Sequence, residues 1–189
     1  MAKPDRKAAA AAIDAFLLAL GRDPGEEPDL LGTGERVARA YADELCAGYD
    51  VDVAKLLADE SVPGHTDLVV LRDTPVSTTC PHHLLPATGV ATVAFAPAGR
   101  IVGLGTMASL VQAFARRLTL QERVGEEVAS ALVRELGATW AACRLVLRHG
   151  CLEARGERSH GSRVETFAFA GTIDDATKRT AMLVLGGGA

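Results

Sequence analysis

The sequence predicts an α+β chain, in which an antiparallel sheet carries two consecutive helices on one face and further helices are added in front. Three observations predict it. Segments rich in Val and Thr with partial alternation lie on both sides of two stretches whose apolar residues return to helical spacing. That order, strand, strand, helix, helix, strand, strand, suits an antiparallel sheet covered by a helical layer. No glycine-rich turn joins a strand to a helix, so a doubly wound dinucleotide-binding sheet is disfavoured.

Residues 5–21 read as a short amphipathic helix, followed by a Gly, Pro, Asp and Glu-rich loop at 21–29. A second helix is expected over 34–47, with Thr33 as N-cap, and Val37, Ala38, Tyr41 and Leu45 on one face. Its polar face carries Arg36 and Arg39. A shorter helix at 52–59 precedes the Pro63-Gly64 turn signal. Strands follow at 67–79 and 88–96, and Pro97-Ala98-Gly99-Arg100 divides the latter from an apolar run at 101–104, as in a hairpin. Helices are expected at 106–118 and 121–137, meeting at Gln121-Glu122-Arg123. In the strand at 140–149, Ala141, Cys143, Leu145, Leu147 and His149 share one face, and Arg144 and Arg148 share the other. A strand at 164–171, a helix from about Asp174 and a frayed Gly186-Gly187-Gly188 tail complete the chain.

The 189 residues carry a formal charge of -4 and only 4% aromatics. An acidic surface with few stacking rings argues against a nucleic-acid partner. The basic residues are mostly arginine, a bias that suits bidentate anion recognition and equally follows from genomic base composition. Asp14 interrupts the apolar run at 8–19, no export-like cleavage site follows, and no stretch approaches the roughly 20 apolar residues that span a bilayer. A cytoplasmic chain with no membrane partner is the expectation. In that compartment the four cysteines, at 46, 80, 143 and 151, point to metal or catalysis more than to disulfides.

Cys80-Pro81-His82-His83 stands just after a strand, where proline forces a turn. The three-residue spacing of Cys80 and His83 lets a sulfur and an imidazole nitrogen converge on one ion, and Zn²⁺ favours these donors. His82, between them, points elsewhere and stays free for proton transfer. In His149-Gly150-Cys151 the i, i+2 spacing puts both side chains on one face if the strand continues, although Gly150 permits a bend. Cys151 can supply a third ligand, and three protein ligands leave the open position of a catalytic zinc site. Rival readings stand beside this one. A lone Cys-x-x-His arises by chance, His149 suits a strand end without any function, and a Cys80–Cys151 disulfide is disfavoured only by a reducing compartment. Cys46 and Cys143 lie on apolar faces and read as core residues.

These residues also carry a family resemblance. CPHHLLP at 80–86, IVGL at 101–104, FARRLTLQER at 114–123 and HGCLEARG at 149–156 resemble the signature segments of GTP cyclohydrolase I. TGERVAR at 33–39 resembles an earlier segment of that family, and the likeness runs in order over roughly residues 10–171. The resemblance implies the tunnelling fold, with an N-terminal helical segment at 1–50 and a catalytic unit at 51–189. It implies zinc ligands at Cys80, His83 and Cys151, and proton-transfer histidines at His82 and His149. It further implies that Gln121 and Glu122 grip the guanine edge, and that Arg36, Arg39 and Arg155 bind phosphate. The family's reaction opens the guanine imidazole ring of GTP with a water activated at zinc, releases formate and recloses the product as 7,8-dihydroneopterin triphosphate. Its assembly is a toroidal homodecamer with active sites at subunit interfaces.

The chain departs from the family pattern in two places. Where the family continues Ser-Lys-x-x-Arg after the IVGL segment, this chain has Gly105-Thr106-Met107-Ala108-Ser109, so two phosphate-side cations are absent. Pro81 replaces a glutamate beside the metal loop. Two lost charge-assisted contacts of roughly 1.5–3 kcal/mol each weaken binding by orders of magnitude. A paralogue that uses the same ring-opening chemistry on a purine-like or azole substrate with fewer or no phosphates is therefore the alternative. A non-catalytic oligomeric scaffold is a third reading, but it would have no need of two free histidines.

Overall fold

In the computed structural model, which describes residues 3–186, the chain opens with α1 (Arg6–Ala19). Asp5 caps it by accepting from the Ala8 amide at 2.9 Å. α2 (Thr33–Ala40) packs against it, and the contact is close because Gly34 presents no side chain: a Cβ there would lie 2.5 Å from the Ala10 carbonyl oxygen. Gly32, at φ +70°, stands at the N-cap in place of Thr33. Thr33 is the first helical residue, and its hydroxyl accepts from Arg36 at 2.9 Å.

The helix expected over 34–47 does not run through. Beyond Ala40 it widens into a π turn at Tyr41–Leu45, closed by the Cys46 amide on the Tyr41 carbonyl at 2.9 Å, and then tightens to a 3₁₀ turn at Ala47–Asp50. Tertiary packing explains the break. The Gly48 amide donates to the Arg116 carbonyl at 2.9 Å, and a Cβ on Gly48 would sit 2.4 Å from the Ala113 carbonyl oxygen. Cys46 consequently ends partly exposed at the close of the π turn, which corrects its reading as a core residue.

α3 (Val53–Asp59), capped by Asp52, leads into β1 (Ser61–Pro63) and then into the two long strands β2 (Val69–Thr79) and β3 (Pro86–Ala96). β4 (Arg100–Val102) does not form the expected hairpin with β3. The turn at Gly99, φ +101°, aims it at β1, and Ile101 lies over Gly64, where a Cβ would clash at 2.8 Å. After α4 (Leu104–Ala115) and α5 (Gln121–Arg134) come β5 (Trp140–His149), the single helical turn α6 (Gly150–Glu153), β6 (Val164–Gly171) and α7 (Asp175–Gly186). Gly186 is thus helical, and Gly187 and Gly188 of the expected tail lie outside the described residues.

β2, β3, β5 and β6 form one antiparallel sheet in that spatial order. α4 and α5 cover one face, toward which Ala141, Cys143, Leu145 and Leu147 of β5 point. The core there is aliphatic, with Leu110, Leu132, Leu145 and Leu147 fully buried. Trimming one such leucine to alanine costs about 2–5 kcal/mol. Helices are not confined to that face. α7 lies on the other side, where Ala94 and Ala142 are small enough for Leu185 to bury against them. Arg72 and Arg144 donate to the Val184 and Leu185 carbonyls near its C-terminus, where cations complement the helix dipole. Among the described residues no helix is long and apolar enough to cross a membrane.

Candidate metal centre and substrate cleft

The end of the sheet where β2 leaves, β3 enters and β5 stops gathers the chemistry-bearing side chains. After Thr79 the chain reverses within six residues. The Cys80 amide donates to the Leu85 carbonyl and the Leu84 amide to the Cys80 carbonyl, both at 2.9 Å. Leu84 takes φ +54° to close this loop, a conformation disfavoured for a branched side chain. Tyr41 braces it from the π turn by donating its hydroxyl to the Leu84 carbonyl at 2.7 Å. The turn puts Cys80 Sγ 3.7 Å from His83 Nδ1, while the His82 ring stands nearly perpendicular to that of His83.

β5 delivers the rest. In the register of the sheet His149 lies opposite Ala87, and Ala87 opposite Thr78, so the three form one row across the strands. At Gly150 the strand turns into α6, which brings Cys151 round to the loop. One ligand atom from each of Cys80, His83 and Cys151 then falls within 4.8 Å of the others. Ligands of a tetrahedral zinc ion lie about 3.5–3.8 Å apart, so the Cys80–His83 separation already matches and the widest needs about 1 Å of closure. The donor chemistry fits as well, since two soft sulfurs and an imidazole favour zinc over a hard cation. Burial, followed by the neighbouring Cys80, pushes the Cys151 thiol up, and a divalent cation would relieve that penalty. Cys143, fully buried under the helices and pushed up to about 12, is an inert core thiol.

The triad opens onto a cleft of about 260 Å³ that is also lined by His82, His149, Gln121 and Glu122. Burial lowers the pKa of His149, and the nearby Glu122 carboxylate opposes that shift. Glu122 is exposed to the cleft mouth, whereas Gln121, beside it at the start of α5, is buried. Arg155, just after α6, sets its guanidinium 3.0 Å from His83 Nε2, so the structure brings this expected phosphate ligand to the metal loop. Arg36 and Arg39 are exposed on α2 and do not line the cleft, and Arg36 hydrogen-bonds within its own segment to Leu31 and Thr33. Thr106 is buried in the first turn of α4, and Ser109 lies on a different groove, toward Ala47 and Arg116. Tyr41 and Thr78 are the residues that sequence reasoning passed over. Tyr41 sits among apolar neighbours at helical spacing, and only the π turn reveals its hydroxyl as a brace.

Fold and site together define an α+β chain with a thiol and imidazole group that could hold a metal ion at the end of an antiparallel sheet. The chain belongs to the GTP cyclohydrolase I family, whose model matches residues 9–185. It is 40% identical to the GTP cyclohydrolase 1 of Allorhizobium ampelinum over 171 residues, 89% of this chain and 84% of that one. It is likewise 40% identical to the GTP cyclohydrolase 1 of Corynebacterium glutamicum over 169 residues, covering 88% and 85%. The Brucella canis enzyme of that name is 39% identical over 175 residues, covering 92% and 81%. Among solved structures, the apo archaeosine synthase QueF-Like overlaps with a TM-score of 0.45 at 16% identity, over 59% of this chain and 100% of that one.

Proposed function

We propose that this chain is a zinc-dependent GTP cyclohydrolase that opens the guanine imidazole ring of GTP, releases formate and yields 7,8-dihydroneopterin triphosphate. The observation that carries the reading is the convergence of Cys80, His83 and Cys151 on a cleft that also holds His82, His149 and Glu122. Zinc, when bound by the triad, supplies Lewis acidity that brings water toward deprotonation near neutral pH. His82 and His149 are not needed as ligands, and they give and take protons at the purine ring and the sugar. Glu122 accepts hydrogen bonds from the ring N–H and exocyclic amine of guanine, which orients the five-membered ring toward the triad. Arg155 offers a guanidinium to the phosphate side.

We extend the proposal to the family's tunnelling fold, a toroidal homodecamer and a cytoplasmic setting. Support for assembly comes from the sheet, whose outer strands β2 and β6 have one neighbour each among the described residues. It comes also from Arg36 and Arg39, which are exposed yet outside the cleft of their own chain, as phosphate ligands shared across an interface would be.

A second reading rests on Thr106 and Ser109, which place no cation where the family has two. It keeps the ring-opening chemistry and moves it to a purine-like or azole substrate with fewer phosphates. Incubating zinc-loaded protein with GTP, GMP, guanosine and guanine, while following formate and pterin fluorescence, separates the two. Turnover of GTP alone supports the first reading, and formate only from dephosphorylated compounds supports the second. Absence of turnover across a broad azole panel removes both and leaves a scaffold.

A further inference from the structure

Gln121 holds an unusual place for a residue expected at a substrate edge. It begins α5, is 2% exposed, and has both ends of its amide engaged within the protein. The NH₂ end faces three acceptors, the Leu145 carbonyl at 3.2 Å, the Val164 carbonyl at 3.0 Å and the Thr166 hydroxyl at 3.0 Å. Main-chain carbonyls only accept, so the reversed amide would set its oxygen against two others and leave buried acceptors unsatisfied. The amide oxygen therefore faces His149, with Oε1 2.8 Å from Nε2. Because that oxygen also only accepts, the proton between them belongs to His149 Nε2. In the neutral ring the lone pair then lies on Nδ1.

We propose that Gln121 is a positioning residue that holds His149 as the Nε2–H tautomer, so that Nδ1 is the nitrogen available to exchange a proton with the substrate. The anchor is rigid, because the same amide ties the start of α5 to β5 through Leu145 and to β6 through Val164 and Thr166. His149 ends its strand, and without this bond its ring would be free to rotate and to populate both tautomers. The inference rests on the reading of His149 as a proton-transfer group, and it assigns the guanine edge to the Glu122 side chain rather than to that of Gln121.

The wild-type protein provides the first test. With ¹⁵N-labelled histidine and zinc bound, the two-bond ¹⁵N–¹H pattern of His149 should show the Nε2–H tautomer, and an Nδ1–H pattern overturns the proposal without any variant. Gln121→Met should then lower kcat about 10- to 100-fold at little change in KM, with zinc content retained and both tautomers visible. A raised KM at unchanged kcat would instead make Gln121 a substrate contact and overturn the assignment. In a double-mutant cycle with His149→Asn, the losses in kcat should coincide rather than multiply, and multiplying losses count against the proposal. Full kcat in His149→Asn alone would sink the underlying reading of His149, and the tautomer spectrum would still decide the role of Gln121.

Discussion

Gly150 passes so close to Pro86 that a Cβ on it would lie 2.9 Å from the Pro86 carbonyl oxygen. That contact seats α6 against the start of β3 and sets the approach of Cys151 to Cys80 and His83. The obstacle is backbone, which cannot swing aside. Gly150→Ala should therefore shift α6 by a few tenths of an ångström, at a cost of about 1–3 kcal/mol. The expected outcome is zinc affinity lowered at least about tenfold with the sheet intact, measured by metal titration beside circular dichroism. Unchanged affinity would mean that the position of α6 does not govern the triad.

Removing a donor tests the triad directly. Cys151→Ser replaces a soft thiolate with a poor zinc ligand, so purified protein should carry far less than one zinc per chain. Zinc should raise the melting temperature of the wild type and leave that of the variant nearly unmoved, since an ion bound at 100 times its Kd adds about 2.7 kcal/mol. Full occupancy in the variant would place the ion elsewhere.

Glu122→Gln keeps the shape of the cleft mouth and removes its carboxylate. Hydrogen bonds to a charged group contribute roughly 1.5–3 kcal/mol, so kcat/KM for GTP should fall about 10- to 150-fold while zinc content stays the same. Wild-type activity would show that Glu122 is only a solvated residue at the start of a helix.

Asp174 accepts from the Thr177 amide at 2.7 Å at the start of α7. That bond, with help from the Thr177 hydroxyl, holds its carboxyl below the ordinary 3.8. The depressed value means that the stabilisation is fully present above that pH and disappears as pH falls through the folded-state value. Melting temperatures of wild type and Asp174→Ala should differ by a constant amount from neutral pH to about pH 5 and converge in stronger acid. A difference that persists unchanged in acid would show that the cap does not depend on the carboxylate charge.

Much of the architecture was legible because side-chain period is a local property. Alternation over 140–149 placed Cys143 and Leu145 toward the helices and Arg144 away from them, and the structure has that arrangement. Where local pattern competes with a distant contact, it is no guide. The helix expected over 34–47 breaks at Tyr41 because Gly48 must meet α4, and the apolar run at 101–104 pairs with Ser61–Pro63 because the turn at Gly99 sends it there. The face chosen by α7 depends on Ala94 and Ala142, two small residues that an alternating pattern records only as apolar.

The site divides along the same line. By itself the sequence determined which residues have the chemistry, because ligand type and short spacing such as Cys80 to His83 are written in neighbouring positions and in the family segments around them. Only the tertiary structure decided that Cys151 meets that pair across some seventy residues, that Arg155 reaches His83, and that Gln121 turns its oxygen to His149. Those relationships depend on the orientation of groups that are remote in sequence. Strand register and the demand that buried carbonyls find donors set that orientation, and neither can be read from one segment alone.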